Sequence, residues 1–507
     1  VLIFSPILFL LVKSFNQDTE SLLYLFKNLL FEYSVNTIYL VLITSFFSLV
    51  IGIIPAWYVS NFQFAGRRII DLILYLPLAI PTYIMAFTYS ELLSFTGPFK
   101  ITYDFLQIEI LGILLAFSLY PYIYSVSRIS FSLFGSTYYD MAKNLGLNAY
   151  QTILKVVLPL SRPAILSGLF LVVMEVLNEY GAVKYFGVNT YTIGIFRSWN
   201  SMNDSGAAIQ LSSILLFIVA FLFFVEKYFN QNKRFSFSKN TQLASLIRPN
   251  NSMKFLIYVI CLIPIILAFL IPVLFNLINI FSSYDDINFE RLLNLTFNSF
   301  TVSLIASVLI LIVSTFFLYN EKISKSKVYY YINQFISLGY SIPGAVVALA
   351  VVISVTSLDN IDDNIKLLGS FSVYFLILIY AYIIRFMAVG KSPIKSSMEK
   401  YPDSYNSSAK NLGLSNFKIF QKIYFPINKY AFFTALTLVF VDIMKELPIT
   451  LILRPFNFDT LATQTYEFAI EEMIPISTIY SSVIIIICCI LLIFLKMFLD
   501  KSNVFRN

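Results

Sequence analysis

Several ionisable residues stand inside stretches that are otherwise apolar enough to cross a membrane, and five of them are grouped in two equivalent stretches. A charged side chain at the centre of a bilayer costs about 2.5–3.5 kcal/mol on insertion scales, so such residues usually face a cavity or a partner. Carboxylate oxygens suit hard cations, and the sequence places no thiolate or imidazole beside them. The candidates for lining a translocation pathway are Glu175, Glu179, Asp442, Lys445 and Glu446.

A purely structural role for the same residues is the alternative at this stage. Lys445 beside Glu446 can form an internal ion pair that fixes two helices, and Glu179 can cap the end of a span among lipid headgroups. Pro81 and Pro343 interrupt apolar stretches, where each predicts either a broken helix next to a gate or cavity, or a simple packing kink.

The sequence offers little for catalysis. It contains no histidine, which removes the usual general base and the commonest metal ligand. It has no Gly-x-x-x-x-Gly-Lys-Ser/Thr phosphate loop, so the chain does not hydrolyse ATP by that route. Cys261, Cys488 and Cys489 lie in apolar stretches and are typical of small buried hydrophobes. We expect no catalytic residue, no firmly assigned metal ligand and no cofactor bound by this chain.

The elements that position the candidate residues are predicted to be membrane-spanning helices. Of the 507 residues, 58% are hydrophobic and 12% are charged, with a mean hydropathy of +0.78. Soluble domains carry about 25% charged residues, and one spanning helix needs about 20 apolar residues. The predicted fold class is an all-α polytopic membrane protein with about 12 spans. The predicted spans are 1–12, 36–58, 69–93, 108–131, 163–180, 209–230, 254–281, 297–319, 329–355, 367–390, 430–450 and 475–498.

The first predicted span is too short to cross a bilayer alone. Its helix would rise about 18 Å, against a hydrocarbon core of about 30 Å. The chain opens on Val1 rather than on methionine, so we expect further residues upstream. No small-residue cleavage site follows the segment, which argues against a signal peptide.

Positive charge is distributed unevenly among the predicted loops. The loops on one side hold 26 of the 35 Lys and Arg, whereas acidic residues cluster on the other side. The positive-inside rule therefore predicts that these loops and both termini are cytoplasmic. The basic loops are 61–68, 127–165, 226–254, 320–328, 384–430 and 496–507.

A polar run reading Ala-Lys-Asn-Leu-Gly-Leu occurs twice, and a proline follows each copy at the same distance. Ala142, Gly146 and Pro159 recur 267 positions later as Ala409, Gly413 and Pro426, and the same offset relates Glu175 and Glu179 to Asp442 and Glu446. The chain is therefore predicted to be a tandem duplication with six spans in each half. The predicted domains are a first half at 1–230, a cytoplasmic linker at 231–253 and a second half at 254–507.

Each copy of the polar run predicts a bracket of two short helices around a glycine. Glycine permits a backbone turn that other residues resist, and proline is tolerated at the start of the following helix. We call 139–159 the first repeat segment and 406–426 the second repeat segment. Two such segments with identical spacing predict a partner that offers two equivalent binding sites, one for each segment.

The repeat segments resemble the EAA loop of binding-protein-dependent ABC importer permeases. Its pattern is Glu-Ala-Ala, three residues, Gly, nine residues and then Ile-x-Leu-Pro. The leading glutamate is Asp140 in the first copy and Ser407 in the second. The matching residues are Asp140-Met141-Ala142, Gly146 and Val156-Val157-Leu158-Pro159, then Ser407-Ser408-Ala409, Gly413 and Ile423-Tyr424-Phe425-Pro426.

This resemblance covers nearly the whole chain and implies two tandem repeats of the type I (MetI-like) importer fold in an inner membrane. It implies that each repeat segment seats in one of two copies of an ATPase subunit, which would use ATP and Mg. It also implies a periplasmic or extracellular binding protein that delivers the solute.

The stretches from Asn178 to Trp199 and from Lys445 to Pro455 are similar to those of fused ferric-iron importer permeases, which implies Fe(III) or an Fe(III) complex as cargo. Thiamine, a polyamine, phosphonate or sulfate stays open as another cargo. A secondary transporter is the third alternative, which the paired repeat segments disfavour.

Overall fold

The computed structural model describes residues 4–16, 23, 27–95, 97, 100, 105–231, 246–324, 326–359, 371–400, 402 and 404–504, and the named elements within them are helical. The first half contains α1 Ser5–Ser14, α2 Leu30–Asn61, α3 Arg67–Ile73, α4 Thr82–Leu93, α5 Ile108–Asn144, α6 Ala149–Thr152, α7 Leu158–Asn178, α8 Gly181–Tyr185, α9 Tyr191–Phe196 and α10 Ser205–Gln231. The second half contains α11 Asn251–Ile265, α12 Ile271–Ser282, α13 Phe289–Ser324, α14 Lys327–Ile336, α15 Gly344–Asp359, α16 Phe371–Met398, α17 Ser404–Asn411, α18 Asn416–Ile419, α19 Phe425–Met444, α20 Pro448–Leu453, α21 Leu461–Ile470 and α22 Ile474–Val504.

Nine helices in the described part are long and apolar enough to cross a membrane, and two bent helix pairs raise the number to eleven. The predicted fold class of a polytopic all-α membrane protein is thereby confirmed. The segment predicted as a span at 1–12 overlaps α1, a shorter apolar helix of 10 residues that ends at Ser14. Helix α10 ends at Gln231 and α11 begins at Asn251, while 232–245 of the predicted linker lie outside the described residues.

The spans predicted at 69–93 and 329–355 are broken helices rather than continuous ones. Arg67–Ala79 meets Thr82–Leu93 at 92°, and Lys327–Ser341 meets Gly344–Ser357 at 113°. A proline disfavours helical backbone in the residue before it. Accordingly, Ile80 and Ile342 are both extended, with ψ of 112° and 125°. The structure therefore selects the helix break over the simple kink at Pro81 and Pro343.

The first broken pair crosses from one end of the bundle to the other. Tyr39 near the start of α2 donates to Glu109 at the start of α5, over 2.9 Å. Ser60 at the end of α2 donates to the carbonyl of Arg128, late in α5, over 2.9 Å. Helices α2 and α5 therefore run in the same direction, and the chain between them must return across the bundle through α3 and α4.

The two halves are interlocked by their opening helices. Helix α1 of the first half packs on α15 of the second half, and α12 of the second half packs on α4 of the first. Polar contacts accompany this exchange, since Tyr89 donates to the carbonyl of Leu267 over 2.5 Å and Lys13 to Ser357 over 3.3 Å. Each broken helix is thus held between its own half and the other one.

Equivalent contacts recur in the two halves, as a duplication requires. Asn36 donates to the carbonyl of Asn189 over 3.0 Å, and Asn298 donates to the carbonyl of Asp459 over 3.1 Å. A π-helical turn also recurs at Ile153–Val157 and Phe420–Tyr424, just before Pro159 and Pro426. Proline has no N–H for the preceding turn and its ring crowds that turn's carbonyl, so a local π-turn accommodates it inside a continuing helix.

Candidate functional site

The two repeat segments share one turn geometry. Gly146 and Gly413 have φ of 79° and 76°, in the left-handed region that favours glycine. Beside these glycines, the amide of Leu147 donates to the carbonyl of Ala142 over 3.0 Å, and that of Leu414 to Ala409 over 3.2 Å. This six-residue closure ends the first helix of each bracket. Each glycine therefore sets the angle between the two arms of its segment.

The repeat segments expose an apolar residue at the same position of each turn. The side chains of Leu145 and Leu412 are 82% and 80% exposed, whereas Ala142 and Ala409 are buried. Ser407 is exposed, and the side chain of Asp140 lies outside the described part of the chain. A single exposed leucine is ordinary on a protein surface, but here an exposed leucine recurs at the equivalent position of both repeat segments.

The second repeat segment is firmly attached to the spans beneath it. Ile419 and Tyr424 are buried in a small core with residues of α13, α16 and α19. Tyr319 of α13 also donates to the carbonyl of Asn416 over 2.5 Å. The two segments differ in one respect, because α17 is a separate helix, whereas the helix predicted ahead of Gly146 is the end of the 37-residue α5.

The five candidate pathway residues converge on one cavity between the halves. Its volume is about 70 Å³, which gives room for several water molecules. The break between α3 and α4 lines this cavity through Ile80 and Pro81, and the ends of α7 and α19 carry the acidic residues into it. The break between α14 and α15 adjoins the cavity through Tyr340 and Gly344, which contact lining residues of the first half. The lining includes Pro81, Tyr83, Tyr122, Glu175, Asn178, Glu179, Arg385, Asp442, Lys445 and Glu446.

The second half contributes two internal ion pairs to this cavity. Lys445 lies 3.1 Å from Asp442, and Arg385 lies 3.4 Å from Glu446 with both side chains buried. The ion pair considered between Lys445 and Glu446 is therefore wrong, because each of these side chains pairs with a different residue of opposite charge.

Arg385 is a residue of the site that the sequence analysis missed. It was counted with the cytoplasmic loop 384–430, but it lies within the spanning helix α16. Two signals could have identified it: its place inside the predicted span 367–390, and the 267-residue offset that aligns it with Ser118, another cavity residue.

The first half contributes two carboxylates to the cavity. Hydroxyl and amide groups contact them, whereas the carboxylates of the second half are paired with cations. Glu179 accepts from the hydroxyl of Thr82 and, over 2.9 Å, from the amide of Ala182. Glu175 accepts from the hydroxyl of Tyr340, which belongs to the second half. Among the residues that the structure describes, neither carboxylate forms a salt bridge with Lys or Arg. Four carboxylates and two cationic groups therefore line the cavity.

Polar contacts across the cavity join the two halves. The side-chain oxygen of Asn178 accepts from Arg385 and from the amide of Gly344, both over 2.6 Å. Lys445 donates to the carbonyl of Leu78 over 3.4 Å. These contacts lie at the helix breaks, so the junction of the halves is closed by a small number of hydrogen bonds.

The cavity has no ready-made metal centre built from the usual ligands. Within the described ranges, no three His, Cys, Asp or Glu side chains are grouped so that they could hold a metal ion. The acids are therefore spread along the junction rather than gathered in one carboxylate cage.

The duplicated bundle, its two exposed brackets and its central polar cavity define a transport protein of the membrane. The chain belongs to the family of inner membrane components of binding-protein-dependent transport systems, whose model matches residues 48–235 and 318–503. The predictions of this family and of its twofold repetition in one chain are confirmed.

Relatives of known name are transport permeases. The chain is 24% identical over 503 residues to the Fe(3+)-transport system permease protein FbpB 2 of Haemophilus influenzae, which covers 98% of this chain and 96% of that protein. It is 31% identical over 156 residues to the sulfate transport system permease protein CysT of Escherichia coli, covering 29% of this chain and 55% of that protein. A probable sulfate permease of Marchantia polymorpha is 26% identical over 236 residues, 44% of this chain and 82% of that protein. These relatives are thus all named as transport permeases, but the substrates in their names differ.

Proposed function

We propose that this chain is the transmembrane subunit of an ATP-driven importer that moves Fe(III) or an Fe(III) complex into the cell. A binding protein delivers the cargo on the outer side, and the chain passes it inward by alternating access. ATP hydrolysis, with its Mg, resides in a separate ATPase, so this chain is a transporter subunit rather than an enzyme and binds no cofactor itself.

The observation that carries the proposed cargo is the charge of the central cavity. Two of its four carboxylates have cationic partners, whereas Glu175 and Glu179 are contacted by neutral groups. The excess of carboxylate favours a cation over an anion. Oxygen ligands without thiol or imidazole favour a hard cation such as Fe(III). Sulfate would enter this cavity against its charge, which disfavours the cargo named for the second group of relatives.

The coupling route is a direct mechanical connection in each half. The first repeat segment continues through Pro159 into α7, which ends at Asn178 beside Glu179. The second continues through Pro426 into α19, which carries Asp442 near its far end. Helices of 21 and 20 residues span about 30 Å. A displacement of either repeat segment is therefore transmitted to the cavity through a single helix.

Two copies of the ATPase fit this arrangement, one at each repeat segment. Closure of the ATPase dimer brings the two segments together, and α7 and α19 then move the acidic residues at the junction of the halves. The positive-inside bias supports a cytoplasmic location for the segments and both termini. The cavity then opens alternately to the binding protein and to the cytoplasm.

Uptake of radiolabelled Fe(III) in a strain that lacks this chain tests the proposal. Wild-type protein restores uptake, and excess unlabelled Fe(III) suppresses it, whereas excess sulfate or thiamine does not. The double variant Glu179→Gln plus Glu446→Gln restores less uptake at equal membrane abundance. If the chain instead supported uptake of labelled sulfate that iron did not affect, the substrate would be sulfate rather than Fe(III). The assignment as the transmembrane subunit of an ATP-driven importer would still hold.

A further inference from the structure

Asp71 on α3 is a buried carboxylate that cationic groups from two other helices contact. Its oxygen Oδ2 lies 2.7 Å from Arg128 of α5 and 2.8 Å from Lys496 of α22, and the hydroxyl of Tyr124 donates to Oδ1 over 2.7 Å. Lys496 also donates to the backbone carbonyl of Asp71 over 3.2 Å. Of the salt bridges between described side chains, the one between Lys496 and Asp71 joins the second half to the first. Asp71 is 4% exposed, and charge-assisted hydrogen bonds are about twice as strong as neutral ones, so α22 holds α3 firmly.

Lys496 is itself connected to the second repeat segment. Phe498 of the same helix packs against Tyr430 and Phe433 of α19, with ring centroids 4.9 and 4.7 Å apart. These two residues lie in the first part of α19, which continues from the second repeat segment at Pro426. Because α19 and α22 pack together along this contact, a displacement of the segment carries α22 with it.

The contact at Asp71 leads to the cavity wall of the first half. Helix α3 is followed by a short turn at Leu76–Ala79, against which α22 also packs. Leu78, Ile80 and Pro81, which lie in this turn and at the helix break, line the central cavity. Contacts therefore run from the second repeat segment, through α19 and α22, to the cavity wall that the first half supplies.

The charged contact is not repeated at the equivalent place in the described part of the second half. The offset of 262 residues places Asn333 of α14 at the position of Asp71. The amide of Asn333 donates to Glu321 over 2.6 Å, and Lys391 donates to its backbone carbonyl. Both partners belong to the second half, so α14 is tied to its own half, whereas α3 is tied to the other half as well.

We propose that Lys496 and Asp71 form a latch through which the second repeat segment moves the broken helix of the first half. This inference rests on the proposed function and adds how one ATPase contact reaches both walls of the cavity. The wall of the second half follows the segment directly through α19, and the wall of the first half follows it through α22 and α3. Lys496 and Asp71 are positioning residues, since neither is among the residues that line the cavity.

Lys496→Met separates the latch from the stability of the fold. Methionine keeps an unbranched, flexible side chain that fills apolar space, and Arg128 remains as the counter-ion of Asp71. The variant should therefore insert into the membrane and bind the ATPase as the wild type does. Lys496→Arg keeps the positive charge and is the conservative variant.

Thiol accessibility in the cavity measures the latch on the full chain in complex with its ATPase, reconstituted in lipid nanodiscs. Cys261, Cys488 and Cys489 are replaced by alanine, and one cysteine is introduced by Leu78→Cys in the wall of the first half or by Leu447→Cys in that of the second. The rate at which a membrane-impermeant methanethiosulfonate modifies this cysteine is recorded without nucleotide and with ATP and vanadate. With Lys496 in place, nucleotide is expected to change both rates.

Lys496→Met should reduce the nucleotide response of Leu78→Cys at least about twofold, which is the scale on which substitutions along a coupling route act. The response of Leu447→Cys should persist, because Leu447 follows the end of α19. Lys496→Arg should restore the response of Leu78→Cys, since the guanidinium can hold the same carboxylate. A side chain that only fills space would not require its charge for this response.

Lys429→Met is the matched control. Lys429 is exposed near the start of α19 and lies over the ring of Tyr430, 5.3 Å from its centroid. The variant therefore removes a lysine from the same aromatic contact and leaves the salt bridge at Asp71 in place. Both nucleotide responses should stay unchanged. An undiminished response of Leu78→Cys in Lys496→Met, an equal loss at both cysteines, or the same loss in Lys429→Met would overturn the latch.

The latch and the proposed function fail in different ways. A wild-type chain that binds the ATPase and responds to nucleotide at Leu447→Cys but not at Leu78→Cys refutes the latch and leaves the ATP-driven importer standing. A wild-type chain with which no ATPase associates refutes the importer, and the latch falls with it. The readout contains no cargo, so a substrate other than Fe(III) would leave the result for the latch unchanged.

Discussion

A guanidinium nitrogen of Arg385 lies 2.6 Å from the side-chain oxygen of Asn178 and 3.4 Å from a carboxylate oxygen of Glu446. Asn178 belongs to the first half and Glu446 to the second, so one buried cation connects the ends of α7 and α19. These are the two helices that lead from the repeat segments, and Arg385 therefore ties together the parts that must separate when the cavity opens.

Arg385→Ala should destabilise the protein, because it leaves the carboxylate of Glu446 buried without its cation. Removing one partner of a buried pair costs about 3–5 kcal/mol. The apparent Tm of the purified protein in detergent measures the loss. Adding Glu446→Gln should recover part of it, since no unpaired charge remains.

The pair Lys395–Glu399, 3.8 Å apart with the Glu399 side chain 67% exposed, gives the control. Exposed pairs at this helical spacing contribute about 0.3–0.5 kcal/mol, so Lys395→Ala should leave Tm nearly unchanged. Equal effects of Arg385→Ala and Lys395→Ala would contradict a structural role for the buried pair.

Glu179→Gln and Glu446→Gln should affect the protein differently, although the duplication makes their positions equivalent. Glu179 has neutral partners, so its substitution should depress Fe(III) uptake with little change in Tm. Glu446 neutralises Arg385, so its substitution should lower both Tm and uptake. Uptake per folded molecule, from membrane abundance and labelled iron together, separates these results. Normal uptake by Glu179→Gln would assign that residue to structure.

Gly413→Pro should abolish association with the ATPase while membrane insertion persists. Proline fixes φ near −65° and cannot adopt the φ of 76° that the turn requires. Gly413→Asn is the control, because asparagine tolerates left-handed backbone and a side chain at this position meets open space. Co-purification of the ATPase with each variant is the measurement. A complex that survives Gly413→Pro would count against docking through this turn.

Leu145→Ser combined with Leu412→Ser should weaken ATPase binding without lowering Tm. Both side chains are mostly exposed, so the free protein loses little when they are removed. Phe456→Ser provides the comparison, since Phe456 is 89% exposed and follows α20, away from the repeat segments. The double variant should reduce the ATPase recovered by co-purification, and Phe456→Ser should not. A similar loss from both would point to a general effect on folding.

The sequence predicts the parts of this protein that repeat or that depend on local backbone rules. The turns at Gly146 and Gly413 and the breaks at Pro81 and Pro343 follow from backbone properties of glycine and proline. The break angles of 92° and 113° do not follow, because packing of each arm against other helices sets them.

Partners across the cavity are the part that sequence reasoning could not supply. The contact between Lys445 and Asp442 is local, and it could have been predicted because residues three apart lie close together on a helix surface. The contacts of Arg385 with Asn178 and of Tyr340 with Glu175 join residues 207 and 165 positions apart. Such pairs arise only when the two halves pack together, which no local pattern encodes.

The exchange of opening helices has a consequence for how the protein is made. Because α1 lies on α15 and α12 lies on α4, either half produced alone would expose the flank of its own broken helix to lipid. Fragments cut within 232–245 should therefore accumulate only when they are synthesised together, each acting as the folding template of the other. Fusion into one polypeptide guarantees that the two arrive in equal number and at the same place.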